Sequence, residues 1–501
     1  MTPRGPDANT RAVEILRGQI PPPPAAMDEA ILGALRRAGS ARGERRARRA
    51  AWCDRARLRW VAGMATALAA VTLLMLVPSG PSPHPSLAAA SVPFTSQCTN
   101  ARLEVAGPWR GPEGANFRRV LARFERRNGV KVTYAYETRD IARTLKERLA
   151  RGCPPDVAML PQPGLLRDLA RRDELKPLPA AIGRLVRRTY AGEWRRRATV
   201  DGKLYGVWFK AANKSTFWYS RSAFKRAGVH PPHTWRELLR VAARLRATGI
   251  APFAIAGADG WTLTDWFENL YVGTAGRARY DALAGQALRW TDPTVLAALD
   301  RLADVLGRGG WLAGGVKGAL GTDFEEATAQ VFDGRHRAAM MFEGDFVTSF
   351  VPGQQQSDVG HFAFPRLRGD RSTTIVGGDV AAQFTPKPLA RKLMEFLATP
   401  DAAVPWARAG GFISPNLGLD RRAYPDATTR RLARAVTSAP ALRFDLSDLQ
   451  PPAFGGTAGQ GMWRILQRYL ADTSAVVRTS HQLESAARGA RLCERLVGGS
   501  C

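Results

Sequence analysis

Residues 102–137 read RLEVAGPWRGPEGANFRRVLARFERRNGVKVTYAYE, and the order of patterns in them decides the fold class. RLEVAG (102–107) is a short apolar run, the pattern of a strand. In EGANFRRVLARFERRNG (113–129), Phe117, Leu121 and Phe124 recur at helical spacing, and Gly129 is a stop signal. KVTYAYE (131–137) is rich in strand formers. The alternation continues with DIARTLKERLARG (140–152) as a helix, DVAML (156–160) as a strand and LLRDLARRDE (165–174) as a helix. Strand–helix–strand–helix–strand implies a parallel sheet covered by helices on both faces. Ligands of such sheets sit at the carboxyl ends of the strands, which here carry Gly107-Pro108-Trp109 and Pro161-Gln162-Pro163.

A second set of elements follows. KSTFWYS (214–220), PFAIAG (252–257), RAAMMFEG (337–344) and VAAQF (380–384) read as strands. TWRELLRVAARLRATG (234–249) reads as a helix with Thr234 as its N-cap. LARKLMEFLAT (389–399) and GMWRILQRYLA (461–471) are later amphipathic helices. The chain of 501 residues, 45% of them hydrophobic and 13 of them Trp, is long enough for two or three domain-sized units.

The formal net charge is +29. Residues 1–59 hold thirteen Arg and six acidic residues, a net of +7, so +22 lies further on. After residue 100, Arg and Asp/Glu interleave, as in RRDELK (171–176). That pattern reads as solvated helix faces rather than a nucleic-acid footprint, and is compatible with a diffuse attraction to anionic lipid or cell-wall polymer.

WVAGMATALAAVTLLMLV (60–77) carries no charge over 18 residues. As a helix it spans roughly 27 Å, enough for a bilayer core. RRARRAAWCDRARLR precedes it and PSGPSPHPS follows, so the positive-inside rule places residues 1–59 in the cytoplasm and the rest outside. Leu87-Ala88-Ala89-Ala90 would suit a signal peptidase, but the basic region and the apolar core are both long for a cleaved signal. The expectation is an uncleaved single-pass anchor, with residues 1–59 largely disordered and 78–98 a linker. Cys53 then stays reduced inside, and Cys98, Cys153, Cys493 and Cys501 lie in a disulfide-permissive compartment. Four cysteines allow three pairings. Cys98 and Cys153 each sit just ahead of a predicted strand, which favours Cys98–Cys153 with Cys493–Cys501.

Several stretches recur in a recognisable order: WRGPE (109–113), PPDVAMLP (154–161), DGKLYGV (201–207), KSTFWYSRSAFKRAG (214–228), PPHTWREL (231–238), AGADGW (256–261), AAMMFEGDF (338–346), GGDVA (377–381), FLATP (396–400), Trp406 and GGFISPN (410–416). From about 100 to 475 the chain thereby resembles the bacterial extracellular solute-binding proteins of carbohydrate ABC transporters. The resemblance implies an α/β, two-lobed periplasmic-binding-protein-like fold with a hinge, preceded by one transmembrane helix. Lobe 1 would comprise 99–209 and 376–411, and lobe 2 would comprise 213–372 and 412–501. The chain would cross near 207–213, return near 366–378 and cross again near 410–416. A small polar ligand, expected to be a sugar or oligosaccharide, would lie in the cleft, and the closed form would meet an ABC permease.

A sugar site needs aromatic plates for ring faces and fixed polar groups for hydroxyls. Trp109 is a candidate plate, with Arg110 and Glu113 beside it, although Trp109 could equally pack under the first helix and Glu113 could serve that helix's N-terminus. Gln162 follows the third strand. In ADGWTLTDWFEN (258–269), Trp261 matches a stacking position of sugar-binding relatives, Trp266 could be plate or core, and Asp265 and Glu268 lie close by. Glu343 and Asp345 follow a strand, and Phe346 stands where relatives often carry Trp. Asp379 lies at the return crossing, and Trp463 matches another aromatic cleft position. Acidic groups suit a hydroxyl-rich or cationic ligand and argue against a phosphate.

No GxSxG, HExxH or Walker loop occurs in a suitable context, so no catalytic residue, metal or cofactor is expected. Two rivals stay open. One is a glycan-cleaving secreted enzyme using carboxylates near Trp261 or Glu343. The other is a transmembrane sensor signalling through residues 1–59.

Overall fold

The computed structural model describes residues 92–137, 140–367, 373–438 and 442–497. The readings of 1–59 and 60–77, and of the linker up to residue 91, lie outside them. No helix among the described residues is long and apolar enough to cross a membrane.

The strands in chain order are β1 (Val92–Pro93), β2 (Glu104–Gly107), β3 (Thr133–Tyr136), β4 (Val157–Leu160), β5 (Thr199–Val200), β6 (Lys203–Leu204), β7 (Gly206–Asn213), β8 (Thr216–Ser220), β9 (Ala251–Ala254), β10 (Ala338–Phe342), β11 (Val359–Ala363), β12 (Thr374–Gln383) and β13 (Leu442–Phe444). The first sheet runs β1-β3-β2-β4-β12-β13, with β7 also paired to β12. β2 pairs in parallel with β3 and β4, as the strand–helix alternation predicts. β12 then runs antiparallel to both β4 and β7. The second sheet runs β11-β8-β10-β9.

Each sheet has its own core. In the first, Phe117, Leu121 and Phe124 project from the helix Gly111–Asn128, and Gly129 closes that helix with φ 61°. The helix thus ends where a left-handed residue costs least. In the second sheet the inner strands β8 and β10 are buried on both faces, which is why β10 is continuously apolar, whereas the edge strand β11 alternates. Phe217, Tyr219, Met340 and Phe342 point into one core, while Trp218 and Met341 point into a smaller cluster on the other face. The capping box of Thr234 and Glu237 starts the helix Trp235–Ala247 over the first of these.

The chain passes from the first sheet to the second between β7 and β8 and returns between β11 and β12. Its third passage differs from the expected one near 410–416. Phe412, Ile413, Tyr424, Val436 and Phe444 all belong to the first core, Leu446 to the second and Leu449 again to the first, and Phe454, Met462 and Leu466 to the second. The physical reason is pairing. β13 lies parallel on β12, and Ile413 bridges to Ala211 of β7, so 412–444 cannot leave the first lobe. The passage therefore falls at 445–450.

The start of the described chain is tied down. Cys98 and Cys153 are joined by a disulfide. Arg148 is buried beside it, 2.6 Å from Glu104 and bonded to the Cys153 carbonyl. Cys493 is also disulfide-bonded, and the expected partner Cys501 lies outside the described residues. The first bridge closes a loop with a sequence separation of 55. Replacing Cys98 and Cys153 with Ser is expected to lower unfolding stability by about 2–4 kcal/mol while leaving ligand affinity unchanged. Urea unfolding beside titration calorimetry checks both halves; a loss below about 0.5 kcal/mol contradicts the first.

Candidate ligand-binding site

The carboxyl end of β2, the start of the helix Gly111–Asn128, strand β7 and the residues after β10 converge between the lobes. Their centre is Lys210, buried within an eight-residue strand in which every residue is buried. Its ammonium lies 2.6 Å from Glu113. The rings of Trp109, Trp406 and Phe346 surround it at 6.0, 5.6 and 4.9 Å. Burial alone would lower its pKa, but Glu113 and Asp379 overrule this and hold it above the ordinary value.

Four residues on, Lys214 lies 2.5 Å from Asp445, 3.2 Å from Asp265 and 3.7 Å from Asp448, with the Trp261 ring at 5.6 Å. Burial opposes its charge, and these three carboxylates more than restore it. Asp445, against the cost of its own burial, is held down at about 2 by Lys214. Taking away one partner of such a buried pair leaves a lone charge, at a cost of about 3–5 kcal/mol.

The other carboxylates respond differently. Burial pushes Asp345 up to about 6, against the Asn213 N–H and Lys210. Burial pushes Asp379 up to about 7, against Lys210. Asp265 and Glu343 are also raised by burial, with Lys214 opposing in each case. Asp265 Oδ2, Glu343 Oε2, Asp345 Oδ2 and the Trp463 indole nitrogen are buried without a hydrogen-bond partner. Such atoms are costly unless something completes them. They are three oxygens and one indole N–H, all fully buried, with the Trp261 and Phe346 rings close by.

The predicted residues divide as follows. Trp109 is 3% exposed, packs edge-on against Phe117 and Trp406, and hydrogen-bonds Asp379 through its side chain, so it serves core and site together. Arg110 spans the lobes, 2.9 Å from Glu325, with both side chains nearly half exposed. Gln162 is buried and reaches the Gly456 carbonyl of the second lobe at 3.4 Å. Beside it, a Cβ on Gly164 would meet the Gln450 carbonyl at 2.0 Å, so only glycine permits this approach. Phe346 packs against Trp261 at 6.0 Å. Trp463 lies against Gly260, whose φ of 77° opens the helix Trp261–Ala275.

Trp266 is not brought to the site. It is 1% exposed and packs on Phe217, Phe253 and Phe342 in the second core. Five residues along a helix is about 140° from Trp261, whereas Asp265, at four, shares Trp261's face. Lys210, Lys214, Asp445 and Asp448 went unread in the sequence. The available signal was GVWFKAANKSTFWYS (206–220), two lysines set in a largely apolar, strand-like run. A separate groove between the helices Ile141–Ala150 and Pro163–Arg171 and residues 451–460 contains none of the predicted site residues.

A two-lobed α/β frame with a polar, aromatic-walled site between the lobes defines a class of binding protein, and sequence comparison agrees. Residues 108–404 match the model of the bacterial extracellular solute-binding protein family, and the chain belongs to that family. It is 34% identical over 370 residues to the osmoprotective compounds-binding protein GgtB of Synechocystis, covering 72% of this chain and 87% of that one. It is 30% identical over 376 residues to the alpha-glucosides-binding periplasmic protein AglE of Rhizobium meliloti, covering 71% and 81%. Among solved structures, the solute receptor AcbH, described as preferring β-D-galactopyranose, superposes with a TM-score of 0.70 at 18% identity, covering 78% of this chain and 99% of that one. At that identity the likeness shows the fold alone.

The raised carboxylates set a pH dependence. Their folded pKa values lie above the unfolded values near 4, so the stabilisation they contribute is present below about pH 4 and is lost as pH rises through about 6 to 7. Asp379→Asn is expected to flatten the fall in stability between pH 5 and 8, by at most the one-proton limit of about 1.4 kcal/mol per pH unit. Unfolding of ligand-free protein across that range checks it; identical slopes for both proteins contradict it.

Proposed function

We propose that the site between the lobes captures a small, uncharged, hydroxyl-rich solute, a sugar or a small polyol, and that the loaded protein delivers it to an ABC permease. The observation that carries this reading is the set of unpartnered acceptors, Asp265 Oδ2, Glu343 Oε2 and Asp345 Oδ2, beside the Trp261 and Phe346 rings. Hydroxyls can donate to these oxygens while an apolar sugar face lies on the rings. The names of the relatives support the ligand class: alpha-glucosides for AglE, and multiple sugars for a Streptococcus mutans protein 26% identical over 302 residues.

Binding without turnover belongs to the same proposal, since the family consists of binding proteins. So does the tether. Residues 60–77 would hold the domain at the outer membrane–water boundary, with residues 1–59 inside.

Titration calorimetry with sucrose, trehalose, maltose, galactose and linear polyols tests the reading. The expected result is saturable one-to-one binding of at least one sugar. Trp261→Ala is expected to weaken it about tenfold, the equivalent of about 1.4 kcal/mol, and Glu343→Gln to weaken it as well. Flat titrations across the panel would sink the proposal.

A further inference from the structure

The helix Ala180–Thr189 reads AAIGRLVRRT and contains no acidic residue. Ile182 and Val186 face the first core, while Arg184, Arg187 and Arg188 are exposed. Their spacing places all three on one helical face. The segment after Ile413 is joined to this helix: Tyr190 bridges to Asn416, and the Leu417 N–H donates to the Thr189 carbonyl at 2.7 Å. Leu417 is 51% exposed, and Arg421 and Arg422 follow on the surface. The acids nearby are few. Glu193 is engaged by Arg196 and Arg197, and Asp420 caps the Arg422 N–H. The result is an exposed leucine joined to a helix with three exposed arginines and followed by two more, five arginines in all.

We infer that this face docks on an anionic lipid bilayer. Arginines attract the headgroups, each worth roughly fivefold in partitioning, and an apolar side chain among them can enter the interface. Two features favour a bilayer over a soluble polyanion. The leucine gains nothing from a polymer. Fourteen residues separate the apolar segment 60–77, read as an anchor, from the first described residue, a reach of roughly 50 Å.

The test uses residues 88–501, whose described cores contain no residue before Phe94. Sedimentation is measured with phosphatidylcholine vesicles and with vesicles containing about one third phosphatidylglycerol. The expected result is binding to the anionic vesicles alone, weakened at least tenfold in R184Q/R187Q/R188Q and more modestly in L417S. The control R236Q/R240Q/R244Q removes three exposed arginines from the helix Trp235–Ala247 and is expected to bind as the parent does. Equal loss in that control would reduce the effect to bulk charge and overturn the inference. So would binding to soluble polyglutamate without binding to vesicles, or equal binding to neutral vesicles. Unchanged unfolding midpoints confirm that each variant is folded.

Discussion

Lys210 and Lys214 are buried ammonium groups on the stretch of chain that leaves the first sheet for the second. Charge in such a place must be met by charge. Carboxylates arrive from every neighbouring element: Glu113 from the first helix, Asp379 from β12, Asp345 after β10, Asp265 from the helix Trp261–Ala275, and Asp445 and Asp448 from the third passage between the lobes. The two lysines thereby tie all three passages to both lobes. They also leave more carboxylate oxygens than ammonium hydrogens can reach, and in the proposed function that surplus is what a ligand uses.

The surplus explains the balance of the site. Burial drives a carboxylate to hold its proton and a neighbouring lysine opposes this, and which of the two prevails differs from one carboxylate to the next. Asp445 and Asp379 show the two outcomes within one cluster, at about 2 and about 7. Both cationic positions are filled by the protein itself, so an incoming ligand is offered acceptors, an indole N–H and aromatic faces. Other contacts between the lobes include Arg110 to Glu325, Gln162 to Gly456, the Asn213 N–H to Asp345 at 2.6 Å, the Tyr280 hydroxyl to the Phe444 carbonyl at 3.0 Å and Arg443 to Asp281 at 2.6 Å, and Leu432 packs against a cluster of each lobe. A joint of this kind suits a hinge whose closed form gains contacts to solute from both sides.

Much of the frame was legible because its signals are local. The alternation in residues 102–160 gives β2, β3 and β4 and their helices, and Trp261, Glu343, Asp345, Phe346 and Asp379 all lie at or beside the cluster. What escaped depends on distant pairing. β13 is three residues long and lies parallel on β12, so nothing near 442 shows that 412–444 stay with the first lobe. Trp266 carries the same side chain as Trp261, and only the helix between them decides that one faces the core. The buried lysines broke the rule that lysine marks solvent. Their partners are separated from them by tens to hundreds of residues, beyond the reach of any spacing argument.

The central claim is that solute lies between the lobes on the oxygens left over by the two lysines. A crystal structure with the tightest-binding sugar tests it most directly. The account predicts ligand hydroxyls within hydrogen-bond distance of Asp265 Oδ2, Glu343 Oε2 and Asp345 Oδ2, and a sugar face against Trp261 or Phe346. A sugar seated elsewhere, for instance in the groove beside Leu165 and Pro452, with those oxygens untouched, would contradict it.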